Sequence, residues 1–324
     1  MPQPANLKRS MAIYQYGNKK TKINMRRAAY LIILLLALCK TETSRAQDDP
    51  TNKLYLFNLL NINPAYAGTR DASSMTVGFR RQWAGIPGAP QTSIFSFDAP
   101  LKEHHFGVGL QLFNNTLGKE KTVGLNGSFA TQLKFDEDQF LSMGIQVGMM
   151  NYRIDRTSVG LPFQNDPAFS TNTNVMLPTA GAGLYYERTG FYASLSVPSL
   201  LISTVQVDKL LSINSATLKN MQFIFTTGVT GNLGENVQVK PSFYMRYMNG
   251  NAFDIHLNTT VWLKNLVGIG ASYRFDDAIL GILELRINDQ LRFGYSYGRS
   301  IGDKGVFSQG THEALIRYIF SKKE

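Results

Sequence analysis

Between Val123 and Phe135 the chain alternates with a period of two. Val123, Leu125, Gly127, Phe129, Thr131, Leu133 and Phe135 share one parity; Gly124, Asn126, Ser128, Ala130, Gln132 and Lys134 share the other. Successive side chains of a strand point to opposite faces, so this pattern predicts a strand with one apolar face and one small, polar face. The pattern recurs to Tyr318-Ile319-Phe320 and predicts fourteen strands, near 73–83, 91–98, 105–113, 121–135, 139–153, 178–187, 190–198, 221–231, 236–248, 252–263, 266–275, 278–288, 290–299 and 311–320. An even number lets an antiparallel sheet close with both ends on one side. The expected fold is all-β: a transmembrane antiparallel β-barrel of a bacterial outer membrane over residues 73–324, lipid outside and polar groups inside.

The connections sort the same way. The longest, 154–177 and 199–220, follow the fifth and seventh strands, and 300–310 follows the thirteenth, so all three fall on one side. Asp136-Glu137-Asp138, Glu187-Arg188-Thr189 and Asn288-Asp289 are short and fall on the other. Outer-membrane barrels keep short turns periplasmic and long loops outside. Pro178 at a strand start and Pro198 at a strand end are tolerable; Pro241 is mid-strand, removes a ladder donor and predicts a bulge or a local break.

Charged residues follow the polar parity. Lys240 and Arg246 lie opposite Val239, Phe243 and Met245; Glu284 and Arg286 lie opposite Leu283 and Leu285; Arg292 lies opposite Leu291 and Phe293; Glu313 and Arg317 lie opposite Ile316 and Tyr318. A Lys or Arg facing lipid at mid-depth costs about 2–4 kcal/mol, which an inward position avoids. Both signs occur, so these residues are expected to brace the lumen as ion pairs, or else to line an open pore.

The only long apolar run, Ala28 to Cys39, is too short to span a bilayer comfortably as a helix. Met25-Arg26-Arg27 precedes it and Ser44-Arg45-Ala46 follows, the layout of a signal peptide cleaved near Ala46. Residues 1–46 are read as removed (25–46 if Met25 is the true start), residues 47–72 as an N-terminal periplasmic or plug segment. The leader holds nine Lys/Arg and one Asp/Glu of the chain's 33 and 23, so the remainder carries 24 basic and 22 acidic residues. The apparent basic charge is mostly the leader's, and nucleic-acid binding loses its support. The single cysteine leaves with it, and with it any disulfide framework or cysteine nucleophile.

An ordered set of short motifs spans the mature chain. It begins with Tyr55-Leu56-Phe57-Asn58 and Asn63-Pro64-Ala65-Tyr66-Ala67-Gly68, then Arg80-Arg81-Gln82-Trp83 and Gly88-Ala89-Pro90-Gln91-Thr92. It continues with Phe191-Tyr192-Ala193-Ser194-Leu195-Ser196-Val197-Pro198, Lys240-Pro241-Ser242-Phe243, Gly270-Ala271-Ser272-Tyr273-Arg274, Gly294-Tyr295-Ser296-Tyr297 and Gly310-Thr311-His312-Glu313. The set resembles the PorP/SprF family of type IX secretion system membrane proteins. It departs at Leu59-Leu60-Asn61-Ile62, where the family often has Pro-Leu-x-Tyr. The resemblance implies an outer-membrane barrel working with secretion machinery proteins, with a secreted protein's C-terminal domain, or with both.

Asn63-Pro64 is a turn and Gly68 permits a positive φ; the block containing Tyr66 either seals the periplasmic mouth or docks a periplasmic partner. Arg80 and Trp83 close the first strand, Trp83 as an interfacial anchor or a partner contact. Leu201 and Val205 give the 199–220 loop apolar side chains suited to a partner or to the barrel's own mouth. Asn63, Pro64, Tyr66, Gly68, Arg80, Trp83, Leu201 and Val205 are therefore the expected partner-binding residues.

No chemistry competes with this reading. His104 and His105 lack a visible third ligand for a metal. His256 shares the polar parity with Asp254 and reads as a paired lumen histidine. Gly107-Val108-Gly109 lies in a strand and is expected to cradle nothing. There is no GxxxxGK[ST], no HExxH and no triad spacing, so no catalytic residue, cofactor or metal is expected. A secretion component is set against a porin or solute channel as the second reading; an outer-membrane enzyme has no motif behind it.

Overall fold

A computed structural model describes residues 55–101, 105–157, 172–199, 221–248, 253–275, 277–301 and 309–320. Its strands are β1 (Ser74–Arg81), β2 (Gln91–Leu101), β3 (Phe106–Leu117), β4 (Glu120–Asp136), β5 (Gln139–Ile154), β6 (Thr173–Arg188), β7 (Phe191–Val197), β8 (Gln222–Val229), β9 (Gly231–Asn232), β10 (Val237–Met248), β11 (Asp254–Leu263), β12 (Val267–Arg274), β13 (Ala278–Arg286), β14 (Leu291–Ser300) and β15 (Thr311–Ile319). Neighbours in the sheet are antiparallel, and β15 pairs with β1 from Ser74↔Ile319 to Arg81↔His312, which closes the sheet. The two-residue β9 continues β8 along β10 in an unchanged register, so the barrel among the described residues has 14 staves.

Closure follows from the alternation. Thr76, Ser96, Gln111, Asn126, Ser128, Ser142, Gln146, Ser194, Ser196, Thr226, Asn258 and Ser272 are buried inside, while Leu112, Leu125, Phe129, Ile145, Val147, Leu195, Ile269, Ile279 and Ile316 are exposed outside. This inside-out distribution is that of a barrel whose solvent is lipid. The links 102–105, 137–138, 189–190, 233–236, 264–266 and 287–290 are short and lie at one mouth. The links 155–172, 198–221 and 301–310 lie at the other; these are called the short-turn and long-loop mouths.

The expectation for Pro178 is corrected, and the local break expected at Pro241 is found on one side of its strand. β6 begins at Thr173, so Pro178 sits inside a strand, paired with Met149, and the fifth connection is shorter than expected. The extra turn of strand was hidden because Val175 and Leu177 face inward there, reversing the rule that inward residues are polar. Pro178 is tolerated because β6 meets β7 only from Ala182 onward, so its first half is an edge among the described residues. At Pro241 the register with β11 runs through unbroken, and the break falls on the other side, between β8 and β9. That is where a missing N–H donor does least harm.

Inside the ring lies the segment Tyr55–Gly68. Two 3₁₀ turns, Leu59–Asn61 and Pro64–Tyr66, shape it. Asn58 and Asn63 cap them, each accepting a backbone N–H two residues on, from Leu60 at 3.4 Å and Ala65 at 2.9 Å. Tyr55, Phe57, Leu60, Ile62, Ala65 and Ala67 are all buried and make up the apolar part of the interior, against Ile224, Tyr244, Ile282, Leu315 and Ala130 of the wall.

Candidate functional site

The wall grips the inner segment largely by its backbone. Gln111 donates to the Leu60 carbonyl at 2.8 Å, Ser196 to Ile62 at 2.6 Å and Gln132 to Gly68 at 2.9 Å, and Arg317 donates to the Phe57 carbonyl. Asn58 donates to Ser96 Oγ at 2.6 Å; Asn63 donates to Ser194 Oγ at 2.7 Å and to the Leu184 carbonyl at 2.8 Å. Buried polar groups must be paired, and these seven hydrogen bonds tie six polar groups of the segment to six strands of the wall.

Glycines make room for this approach. A side chain at Gly107 would collide with Ala67, at Gly144 with Pro64 and Ala65, at Gly183 with Asn63 and at Gly294 with Phe57. Gly68 has φ 68 and packs on Gly107 itself, so neither position admits a Cβ. Gly107 and Gly109, expected to cradle nothing, therefore receive the protein's own chain. The signal was present: these glycines stand on the inward, polar parity of their strands.

At its N-terminal end the segment is held by Tyr55. Its ring stacks on Tyr244 at 4.3 Å, and its hydroxyl bonds His256 Nδ1 at 3.0 Å and accepts from Asn258 at 3.0 Å. The protonated hydroxyl, already accepting from Asn258, donates to Nδ1; His256 then donates through Nε2 to Asp254 at 2.8 Å. Asp254 also binds Arg246 at 3.0 Å. At the other end Arg70 binds Asp98 at 2.8 Å and lies over the Tyr66 ring at 4.9 Å.

A buried charge cluster stands beside the segment. Glu313, with no exposed surface, faces Arg80 at 3.0 Å and Arg274 at 3.5 Å and accepts from Ser296 at 2.8 Å. Arg274 was overlooked as a lumen residue, although it shares the inward parity with Ser272 and Gly270.

The residues singled out from sequence fall into distinct places. Glu313 and Arg246 make ion pairs; Arg317 reaches the Phe57 carbonyl and Thr76. Lys240 lies over the Trp262 ring at 5.0 Å, and Glu284 sits in the field of Lys240, Arg317 and Arg292. Arg286 pairs with Asp289 at 2.8 Å, but Asp289 is 92% exposed, so this pair belongs to the short-turn mouth and not to the lumen interior. Asn63, Pro64, Gly68 and Arg80, expected to meet a partner, are buried and face the barrel's own wall and inner segment. Tyr66 packs edge-on against Tyr185 at 5.1 Å. Trp83 follows β1 at the long-loop mouth, half-buried, with φ 49. Leu201, Val205 and His104 lie outside the described residues.

The sequence profile of the family described as "Type IX secretion system membrane protein PorP/SprF" matches residues 44–318. No curated protein matches the chain. Among solved structures, the outer membrane protein Omp33 of Acinetobacter baumannii is similar at 10% identity and TM-score 0.45, covering 77% of this chain and 99% of its own. A FadL homologue of Pseudomonas aeruginosa has 12% identity and TM-score 0.46, covering 84% and 95%. The toluene transporter TodX of P. putida has 10% identity and TM-score 0.48, covering 81% and 93%.

Proposed function

Because the chain belongs to the PorP/SprF family of type IX secretion system membrane proteins, we propose that this barrel is a protein-binding component of that system and not a solute channel. The observation that carries the reading is the filled lumen. A porin keeps an aqueous passage; here Tyr55–Gly68 occupies the interior and is bonded to the wall around it. A barrel closed by its own chain offers surfaces, and these are its two mouths. The long-loop mouth, placed outside the cell by the rule for turn lengths, takes a secreted protein's C-terminal domain. The short-turn mouth faces the periplasmic machinery.

The apolar residues of the 199–220 connection are the proposed grip for the secreted partner. Replacing Leu201 and Val205 together with Ser should reduce recovery of the partner in co-purification from detergent-solubilised membranes, while heat-modifiable migration of the barrel stays unchanged. The rival reading predicts the opposite pattern: steady, large single-channel conductance from the wild-type protein, and loss of nutrient uptake on deletion with secretion intact.

A further inference from the structure

In β13, β14, β15, β1 and β2 the acidic residues Asp98, Glu284 and Glu313 face inward, and so do Arg80, Arg292 and Arg317. Arg81 and Arg299 face outward and are exposed. Both stand at the long-loop ends of their strands, on either side of β15. His312, exposed on β15, pairs with Arg81 on one side and with Tyr297 on the other, and Arg299 lies two residues beyond Tyr297. Two strand spacings and a two-residue offset put the arginine backbones about 12 Å apart, within the combined reach of two such side chains. The Tyr295 hydroxyl is 2.7 Å from His312 Nδ1; donating there, it leaves the ring proton on Nε2 as a further donor. The Tyr297 ring lies 5.1 Å from the His312 ring and across Gly310, where a Cβ would enter it. Among the described residues neither Arg81 nor Arg299 forms an ion pair.

Depth identifies what meets these donors. β14 has 10 residues and β15 has 9, and a tilted strand crosses the apolar layer in about 9–11. Leu291 and Ile319 are at the short-turn mouth, so Arg299 and His312 stand at the far boundary of that layer. Toward its middle the same outward face turns apolar, with Phe79, Val77 and Ile316 exposed. Water would serve a single snorkelling arginine. Two guanidinium groups and an imidazole N–H, with no outward carboxylate on these strands, match a phosphate, which takes paired N–H bonds from arginine. We propose that Arg81, Arg299 and His312 bind a phosphate of an outer-leaflet glycolipid of the lipid A type, whose acyl chains lie along Phe79, Val77 and Ile316. This site is on the lipid-facing wall, apart from the two mouths of the proposed function. It takes from that function only the placing of the long-loop mouth outside the cell.

The purified barrel in detergent, titrated with bisphosphorylated lipid A and followed by native mass spectrometry, tests it. Wild type should retain the lipid. Arg81→Gln with Arg299→Gln should weaken binding at least about tenfold, the worth of one charge-assisted hydrogen bond. Heat-modifiable migration should be unchanged, because both side chains point away from the lumen. Lys121→Gln with Arg153→Gln, outward at the long-loop ends of β4 and β5, removes the same charge elsewhere and should leave binding as it is. Lipid A stripped of its phosphates should bind wild type as weakly as intact lipid A binds the Arg81/Arg299 variant. Equal binding by wild type and that variant overturns the site. So does an equal loss from the Lys121/Arg153 pair, which would make the attraction one of net charge, or undiminished binding of the phosphate-free lipid. Phosphatidylglycerol bound as tightly as lipid A overturns the glycolipid as the occupant. None of these outcomes involves a secreted partner, so failure of the protein-binding reading leaves the site standing, and the reverse.

Discussion

At the scale of single residues, the wall is specified as much by what it lacks as by what it carries. Gly144 and Gly281 both sit in strands, yet a Cβ at 144 would enter the backbone at Pro64 and Ala65, while one at 281 would meet nothing within 4 Å. Gly144→Val should therefore destabilise the barrel by at least about 1–3 kcal/mol, the usual cost of overpacking, and Gly281→Val should not; urea titration of heat-modifiable migration compares the two. Glu313 offers a second contrast. It is the carboxylate that lies between Arg80 and Arg274 in that buried cluster. Glu313→Gln removes the charge and keeps the shape, leaving two guanidinium groups facing an amide, and should cost about 3–5 kcal/mol. Arg286→Gln, whose partner Asp289 is exposed, should cost under about 1 kcal/mol in the same assay.

At the scale of elements, strand positions were legible because alternation is a local property. Residues 121–135 and 139–153 were placed within a residue or two of β4 and β5, since each side chain there reports its own face. Legibility failed where a residue's role depends on something distant in sequence. Tyr55 gains its function from His256 and Asn258, some two hundred residues away, and nothing near Tyr55 announces them. Arg80 looked like a strand-end charge because its partner, Glu313, is on the last strand. Residues 173–177 were missed for a different reason: Val175, Met176 and Leu177 are apolar on both faces, so no alternation shows there. The inner segment is an element of this second kind, regular only in what surrounds it. Its hold is testable at the cap that serves most roles at once. Asn63 accepts from Ala65 and donates to Ser194 and Leu184. Asn63→Ala loses the cap and leaves a buried carbonyl short of a donor, so protection of residues 55–68 from protease in purified barrels should fall, with a stability loss of about 2–4 kcal/mol.

At the scale of the whole molecule, the protein is organised against lipid. Ile145 is 60% exposed and Val147 65%, in the middle of a sixteen-residue strand, while Gln146 between them is buried and donates to the Pro198 carbonyl at 2.8 Å. In a water-soluble sheet a charge at an exposed position is nearly neutral, because the side chain already faces its preferred solvent. In a bilayer the same substitution places a guanidinium in hydrocarbon. Ile145→Arg should therefore cost about 2–4 kcal/mol when the protein is folded into lipid vesicles. In detergent micelles, which deform around a charge more readily, the same change should cost less. Arg81→Ala, at an exposed position at the end of β1, should be close to neutral in both. Equal, small effects for Ile145→Arg in vesicles and in micelles would mean that this face does not lie in the hydrocarbon layer. A cost confined to vesicles fixes the depth of the belt on β5, and repeating the substitution at Leu125 and Ile269, exposed on β4 and β12, traces that belt around the barrel.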